Sequence, residues 1–251
     1  MPLRHALALA ALLAVHAGAM AQARTVTVAF GESLEPYVMP QQARGIEVDI
    51  IREALQNQDL RLKPVFLAQK RLPYALGNKG VDAVATMLPN YGINGAYSEP
   101  YIQYLDKAIT LQERNLNIAG ISDLARFRVL GFPLASRYLG EPFHQLTRVH
   151  PAYSETGNQL DQNRLLYRGS VDVVVADVRI FNYMNRRMLQ EFNETPRPVQ
   201  YHDLFPHLSY HVLFRSEQLR NTFNAGLRQL QHSGRQQQII DQYDAGLTAS
   251  D

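Results

Sequence analysis

The stretch Tyr167-Arg-Gly-Ser-Val-Asp-Val-Val-Val-Ala-Asp177 decides the fold. It reads as a helix end, a glycine turn, and a β-branched run that stops on a carboxylate. A continuous apolar run bounded by turn residues is the pattern of a strand covered on both faces, as in a parallel sheet. Helical spacing resumes at once, with Val178, Phe181, Tyr183 and Met184 as the positions expected to be buried. Asp177 therefore falls at the carboxyl end of a parallel strand, just before a helix, where open α/β sheets bind ligands.

The same phrase occurs earlier as Leu76-Gly-Asn-Lys-Gly80-Val-Asp-Ala-Val-Ala-Thr-Met87. Each copy alone is also a common helix-to-strand turn. The repetition favours two similar α/β lobes whose strand ends face a shared cleft. The flanking pattern agrees. Residues 24–30 alternate as a first strand, and Val48, Ile51, Ala54 and Leu55 share one helical face after Gly45. Residues 60–66 read as a second strand, at an edge because of Pro64. A short helix is expected over 70–76. Asp106 to Gln112 reads as an extended segment leaving the first lobe, 149–153 as a weak strand, and 159–167 as a helix. Residues 209–214 read as a second crossing strand, before two closing helices separated at Gly234.

The chain begins Met1-Pro-Leu-Arg4-His5, continues with an Ala/Leu run to about Val15 and reaches Ala21-Gln-Ala23. A short basic start, a brief apolar core and an A-x-A site predict a cleaved signal peptide over residues 1–23, and hence export to a periplasm. The sequence has no cysteine. That excludes a lipid-anchored terminal cysteine, disulfides, a catalytic thiol and thiolate metal sites. Removing Arg4 with the leader leaves 24 basic against 23 acidic side chains, so there is no electrostatic case for nucleic acid. His202, His207 and His211 fit no zinc spacing, so no metal and no cofactor are expected.

An ordered set of phrases carries a family resemblance. It comprises Pro36-Tyr37 with Gly45-Ile-Glu-Val-Asp49, Gly80-Val-Asp82, Tyr97-Ser-Glu-Pro-Tyr101, Asp123-Leu124 with Val129-Leu-Gly131, Gly169 to Asp177, and the tail Leu219 to Tyr243. Together they resemble the extracytoplasmic solute-binding proteins of the polar amino-acid transporter type. The resemblance implies an α/β periplasmic-binding-protein type II fold: two open sheets joined by two crossing strands. It places residues 24–109 with 208–251 in a discontinuous first lobe and 110–207 in the second. It also implies a monomer that closes on a small polar ligand and meets the membrane permease of an ABC transporter, or a membrane-bound sensor.

Residue by residue, the resemblance assigns Asp177 to a ligand ammonium group, Tyr37 to an aromatic wall and Ser136 to a ligand carboxylate. The segment Thr86 to Ala96 departs from the pattern, because it lacks the arginine that clamps an α-carboxylate in a Thr-x-x-Arg setting. Either Lys70 or Arg71 substitutes, or the ligand has no α-carboxylate. Thr86, Asn90 and Glu32 are further candidate contacts at strand ends and the cleft edge. For each of these a plainer role is available: Asp177 also suits a helix N-cap, Arg71 a surface position, and Glu32 a solvated loop. The reading is a solute receptor, with a sensory or accessory module as the alternative. A cleft enzyme of the cyclohexadienyl dehydratase kind is a remote one, with Glu32, Glu35 or Asp177 as its acid–base group.

Overall fold

The computed structural model describes residues 23–248 apart from Ser33, Asn90 and Tyr91. The expected signal peptide and the candidate contact Asn90 lie outside the described residues.

Strands β1 (Arg24–Gly31), β2 (Leu60–Leu67) and β3 (Ala83–Met87) are mutually parallel around β1. Strand β4 (Ala96–Tyr97) and strand β5 (Ile102–Tyr104) follow, and both pair with β11 (Leu208–Phe214), which runs antiparallel to β3. The first sheet has the order β2-β1-β3-β11-β4. Pro64 accordingly sits on an edge strand, where its missing N–H breaks no inner ladder.

The second sheet contains β6 (Asp106–Leu111), β7 (Val129–Gly131), β8 (Tyr153–Glu155), β9 (Val173–Asp177) and β10 (Val199–His202), in the order β10-β6-β9-β7-β8. Here β7, β8 and β9 are parallel, while β6 runs against β9 and β10. The chain crosses between sheets at Leu105 and returns over 203–207, and the two passages run side by side. The change of sheet falls at Leu105 rather than near 109, because Asp106–Leu111 pairs wholly with strands of the second sheet.

Helix α1 (Ile46–Gln56) starts after Gly45, whose φ of 128° favours glycine and where a Cβ would stand 2.3 Å from the Tyr37 carbonyl oxygen. Helix α1 buries Val48, Ile51, Ala54 and Leu55 as expected, and Ile46 and Ile50 as well. The additional burial has a cause. Helix α6 (Glu217–His232) packs on α1 so closely that a Cβ at Gly226 would meet the Ala54 carbonyl oxygen at 1.9 Å. In the second lobe α2 (Ala135–Tyr138) and α3 (Glu141–Val149) precede β8. Helix α3 takes in Val149, which ends it 81% exposed, so the weak strand expected over 149–153 starts later, at Tyr153. Helices α4 (Gln159–Tyr167) and α5 (Val178–Phe192) flank β9, and α5 buries Ile180, Phe181, Met184 and Met188. Helix α7 (Arg235–Thr248) closes the chain against α1, α5 and α6. Among the described residues no helix is long and apolar enough to cross a membrane.

Candidate functional site

Strands β3 and β9 each lie inside their sheet, fully buried, and each is preceded by its Val-Asp phrase. The two aspartates do the same task. Asp82 accepts the Thr27 N–H at 2.8 Å and Asp172 accepts the Arg128 N–H at 3.0 Å, each pinning the strand start to its parallel neighbour. The strands then run to a common cavity of about 380 Å³, which Thr86 and Met87 line from one sheet and Asp177 from the other.

Four carboxylates line this cavity, Glu32, Asp106, Glu155 and Asp177, against one cation among the described residues, Lys70. Asp177 is 3% exposed, and each of its oxygens accepts two donors. Oδ1 takes the Arg179 and Ile180 N–H groups at 2.9 and 3.1 Å, capping α5. Oδ2 takes the N–H of the crossing residue Leu105 at 2.8 Å and the Tyr37 hydroxyl at 3.3 Å. Burial nevertheless pushes its pKa up to about 6, against those donors and the nearby Arg179. Asp106 lies directly across the ladder from Asp177. Its Oδ2 is buried without a hydrogen-bond partner among the described residues, and burial, with the Asp177 charge adding to it, raises its pKa well above the ordinary value.

Glu155, at the end of β8, is held by four donors. They are the N–H groups of Leu134 (2.7 Å) and Ser136 (3.0 Å) and the hydroxyls of Ser136 and Tyr153 (both 2.8 Å). Leu134 adopts φ of 69°, a left-handed conformation unusual for leucine, just before α2. Burial opposes the Glu155 charge, but the donors outweigh it and its pKa lies below the usual carboxylate value.

The first lobe keeps its own buried carboxylate away from the cavity. Glu47, fully buried in α1, accepts the hydroxyls of Thr86 (2.7 Å), Tyr101 (2.5 Å) and Tyr104 (2.5 Å). Thr86 holds φ of 58°, and its N–H meets the Tyr101 oxygen at 3.1 Å. A β-branched residue in this region carries about 1–3 kcal/mol of strain, a feature that concentrates at functional sites.

The structure thus brings Asp177, Thr86 and Glu32 to one cavity. Tyr37 lies behind it, fully buried, stacked on Tyr104 at 4.0 Å and bonded to Asp177. The aromatic groups on the wall are Tyr104, Tyr210, Tyr138 and Phe132. Ser136 does not line the cavity, since both its donors serve Glu155. Arg71 is exposed and away from the wall, where its neighbour Lys70 stands instead. Sequence reasoning passed over Asp106, Glu155 and Glu47. A polar residue opening an apolar strand marks Asp106 faintly, and no local pattern marks the other two.

His202 hydrogen-bonds with the Thr110 hydroxyl (3.0 Å), and His211 with the Ser98 carbonyl (2.6 Å). Among the described residues no group of His, Asp and Glu side chains is arranged to hold a metal ion.

No curated protein matched the sequence. Solved structures did. A histidine kinase sensor domain with similarity to periplasmic binding proteins superposes with a TM-score of 0.72 at 18% identity, over 88% of this chain and 96% of that one. An ancestral arginine-binding protein bound to arginine gives 0.71 at 16% identity, over 88% and 99%. The arginine-, lysine-, histidine-binding protein ArtJ from Geobacillus stearothermophilus gives 0.68 at 17%, over 88% and 95%. At such identities the likeness is one of fold, the two-lobed type II fold of periplasmic binding proteins. The family model for bacterial extracellular solute-binding proteins, family 3, matches residues 26–246, and the chain belongs to that family.

Proposed function

We propose that this chain is a periplasmic solute receptor. It is exported by a leader over residues 1–23 and closes two lobes on a small polar ligand, which it delivers as a monomer to a membrane ABC transporter. The lobes are residues 24–105 with 208–251, and 106–207. The cavity between the ends of β3 and β9 carries this reading, because a solute there touches both sheets at once. A ligand that bridges both lobes shifts the open–closed equilibrium toward the closed form, which a membrane partner can recognise. Asp177, Thr86 and Glu32 are the ligand contacts that sequence and cavity share.

A second reading, presentation of the ligand to a membrane-bound sensor, draws support from the likeness to a histidine kinase sensor domain. We read the chain as a binding protein rather than an enzyme, since the four donors on Asp177 fit a holding role better than proton transfer. The test is a thermal-shift screen of refolded, ligand-free protein against amino acids, amines, small carboxylates and sugars, followed by X-ray scattering with any hit. A ligand at a hundred times its Kd adds about 2.7 kcal/mol of stability. A hit that also contracts the molecule supports the receptor reading. A silent screen, or a hit without contraction, overturns it.

A further inference from the structure

The cavity of the proposed receptor contains two features that its function does not use. The first is the cradle made by the Leu134 and Ser136 N–H groups with the Ser136 hydroxyl. Three donors shared between two oxygens suit a carboxylate, and a carboxylate is there: Glu155 of the same chain, with Oε2 on Leu134 and Oε1 on Ser136, which itself lines the cavity. A ligand carboxylate entering the cradle would have to displace Glu155, with the Tyr153 hydroxyl bond lost as well. No arginine lines the cavity among the described residues, and Lys70 is an exposed side chain at its edge. The second feature is Asp106. Its side chain is buried and lines the same cavity, and its Oδ2, itself buried, has no hydrogen-bond partner among the described residues.

A buried carboxylate oxygen left unpartnered costs the fold free energy unless something donates to it. Asp177 cannot supply a donor, being an acceptor with all four of its contacts made within the protein. What Asp106 lacks is a donor, and a cation carrying N–H groups would supply one. The cavity wall beside both aspartates is aromatic, with Tyr104 and Tyr210 meeting edge to face at 4.8 Å, and ring faces attract organic cations. Resting on the receptor reading, we propose that the ligand is a small organic amine or guanidine without an α-carboxylate. Its N–H groups donate to Asp106, and Glu155 excludes the matching amino acid.

Calorimetry on the ligand-free full-length mature protein tests this with pairs that differ only in the carboxylate: agmatine against arginine, and cadaverine against lysine. The expected result is that the amine of at least one pair binds at least about tenfold tighter than its amino acid. Asp106→Asn should weaken that amine about tenfold or more, the scale of a hydrogen bond to a charged group. The same variant should leave the ligand-free melting temperature equal or higher, because it removes a buried ionisable group, whereas a purely structural aspartate would lower it. Glu155→Ala should narrow the gap within the pair by freeing the cradle. Amino acids binding as tightly as the amines overturn the inference while leaving a receptor. So does an Asp106→Asn variant with unchanged amine affinity. Binding of sugars or carboxylates in place of amines also overturns only the inference, whereas no binding by any class overturns the receptor reading itself.

Discussion

The two Val-Asp phrases open alike and end differently. At their starts, Asp82 and Asp172 pin β3 and β9 to a parallel neighbour by the same backbone contact. Toward their ends, β3 carries Thr86, one residue before its last, whose hydroxyl turns away to the buried Glu47, while β9 finishes on Asp177, which stays on the cavity wall. One lobe surrounds its buried carboxylate with three hydroxyls; the other sets Asp177 against Asp106, whose Oδ2 has no hydrogen-bond partner among the described residues. The repeat thus delivers two strand ends to one place, and side chains far away in sequence decide what each end offers. A lobe built only for stability would look like the first.

The contrast can be broken most directly at the two buried carboxylates. Glu47→Ala leaves three buried hydroxyls without their acceptor. Urea unfolding should show a loss of about 3 to 5 kcal/mol. Asp177→Asn keeps an oxygen to cap α5 and removes a buried charge, so it should cost only about 1 to 2 kcal/mol. Equal losses at the two positions would mean that Asp177, like Glu47, is there for the fold.

A smaller effect is set by pH. Asp177 has its pKa raised to about 6, so the folded protein keeps a proton that the unfolded chain has released above about 4. Its contribution is therefore present at low pH and is lost as pH rises from about 4 to about 6, a change of up to about 3 kcal/mol. Asp106 shifts in the same direction. Asp172, at the other end of the same strand, behaves oppositely. The hydrogen bonds of Arg128 lower its pKa to about 2, so its contribution is present above about 4 and lost as pH falls through about 2. Unfolding followed across pH in the wild type and Asp177→Asn should show the rising-pH loss flatten in the variant. An unchanged profile would put the burial of Asp177 in doubt.

The smallest difference should separate the two opening aspartates. Asp172 holds Arg128 and Arg114 as well as a backbone N–H, and so Asp172→Ala should cost about 2 kcal/mol. Asp82 accepts the Thr27 N–H, and Asp82→Ala should cost about 1 kcal/mol by the same measurement. Equal losses would show that the arginines on Asp172, both nearly half exposed, add nothing.

Much of the fold is legible in the chain because its signals are local. The β-branched run of β9, the helical spacing of α1 and the turn glycines report period and backbone freedom over a few residues. Asp177 could be found in that way, since its place at a strand end follows from the run before it. Boundaries were less legible where two local patterns competed: Val149 has a strand-forming side chain, yet α3 includes it.

The sequence by itself determined the two repeated units, their strand ends and a carboxylate at one of them. Tertiary structure alone decided that Ser136 serves Glu155, that Glu47 collects three hydroxyls, and that Asp106 has an oxygen with no donor among the described residues. Period and propensity act between near neighbours, whereas a buried acceptor finds its donors wherever packing brings them. For Glu47 those donors come from positions 86, 101 and 104, on β3 and on the β5 segment, which only the folded first lobe brings to α1.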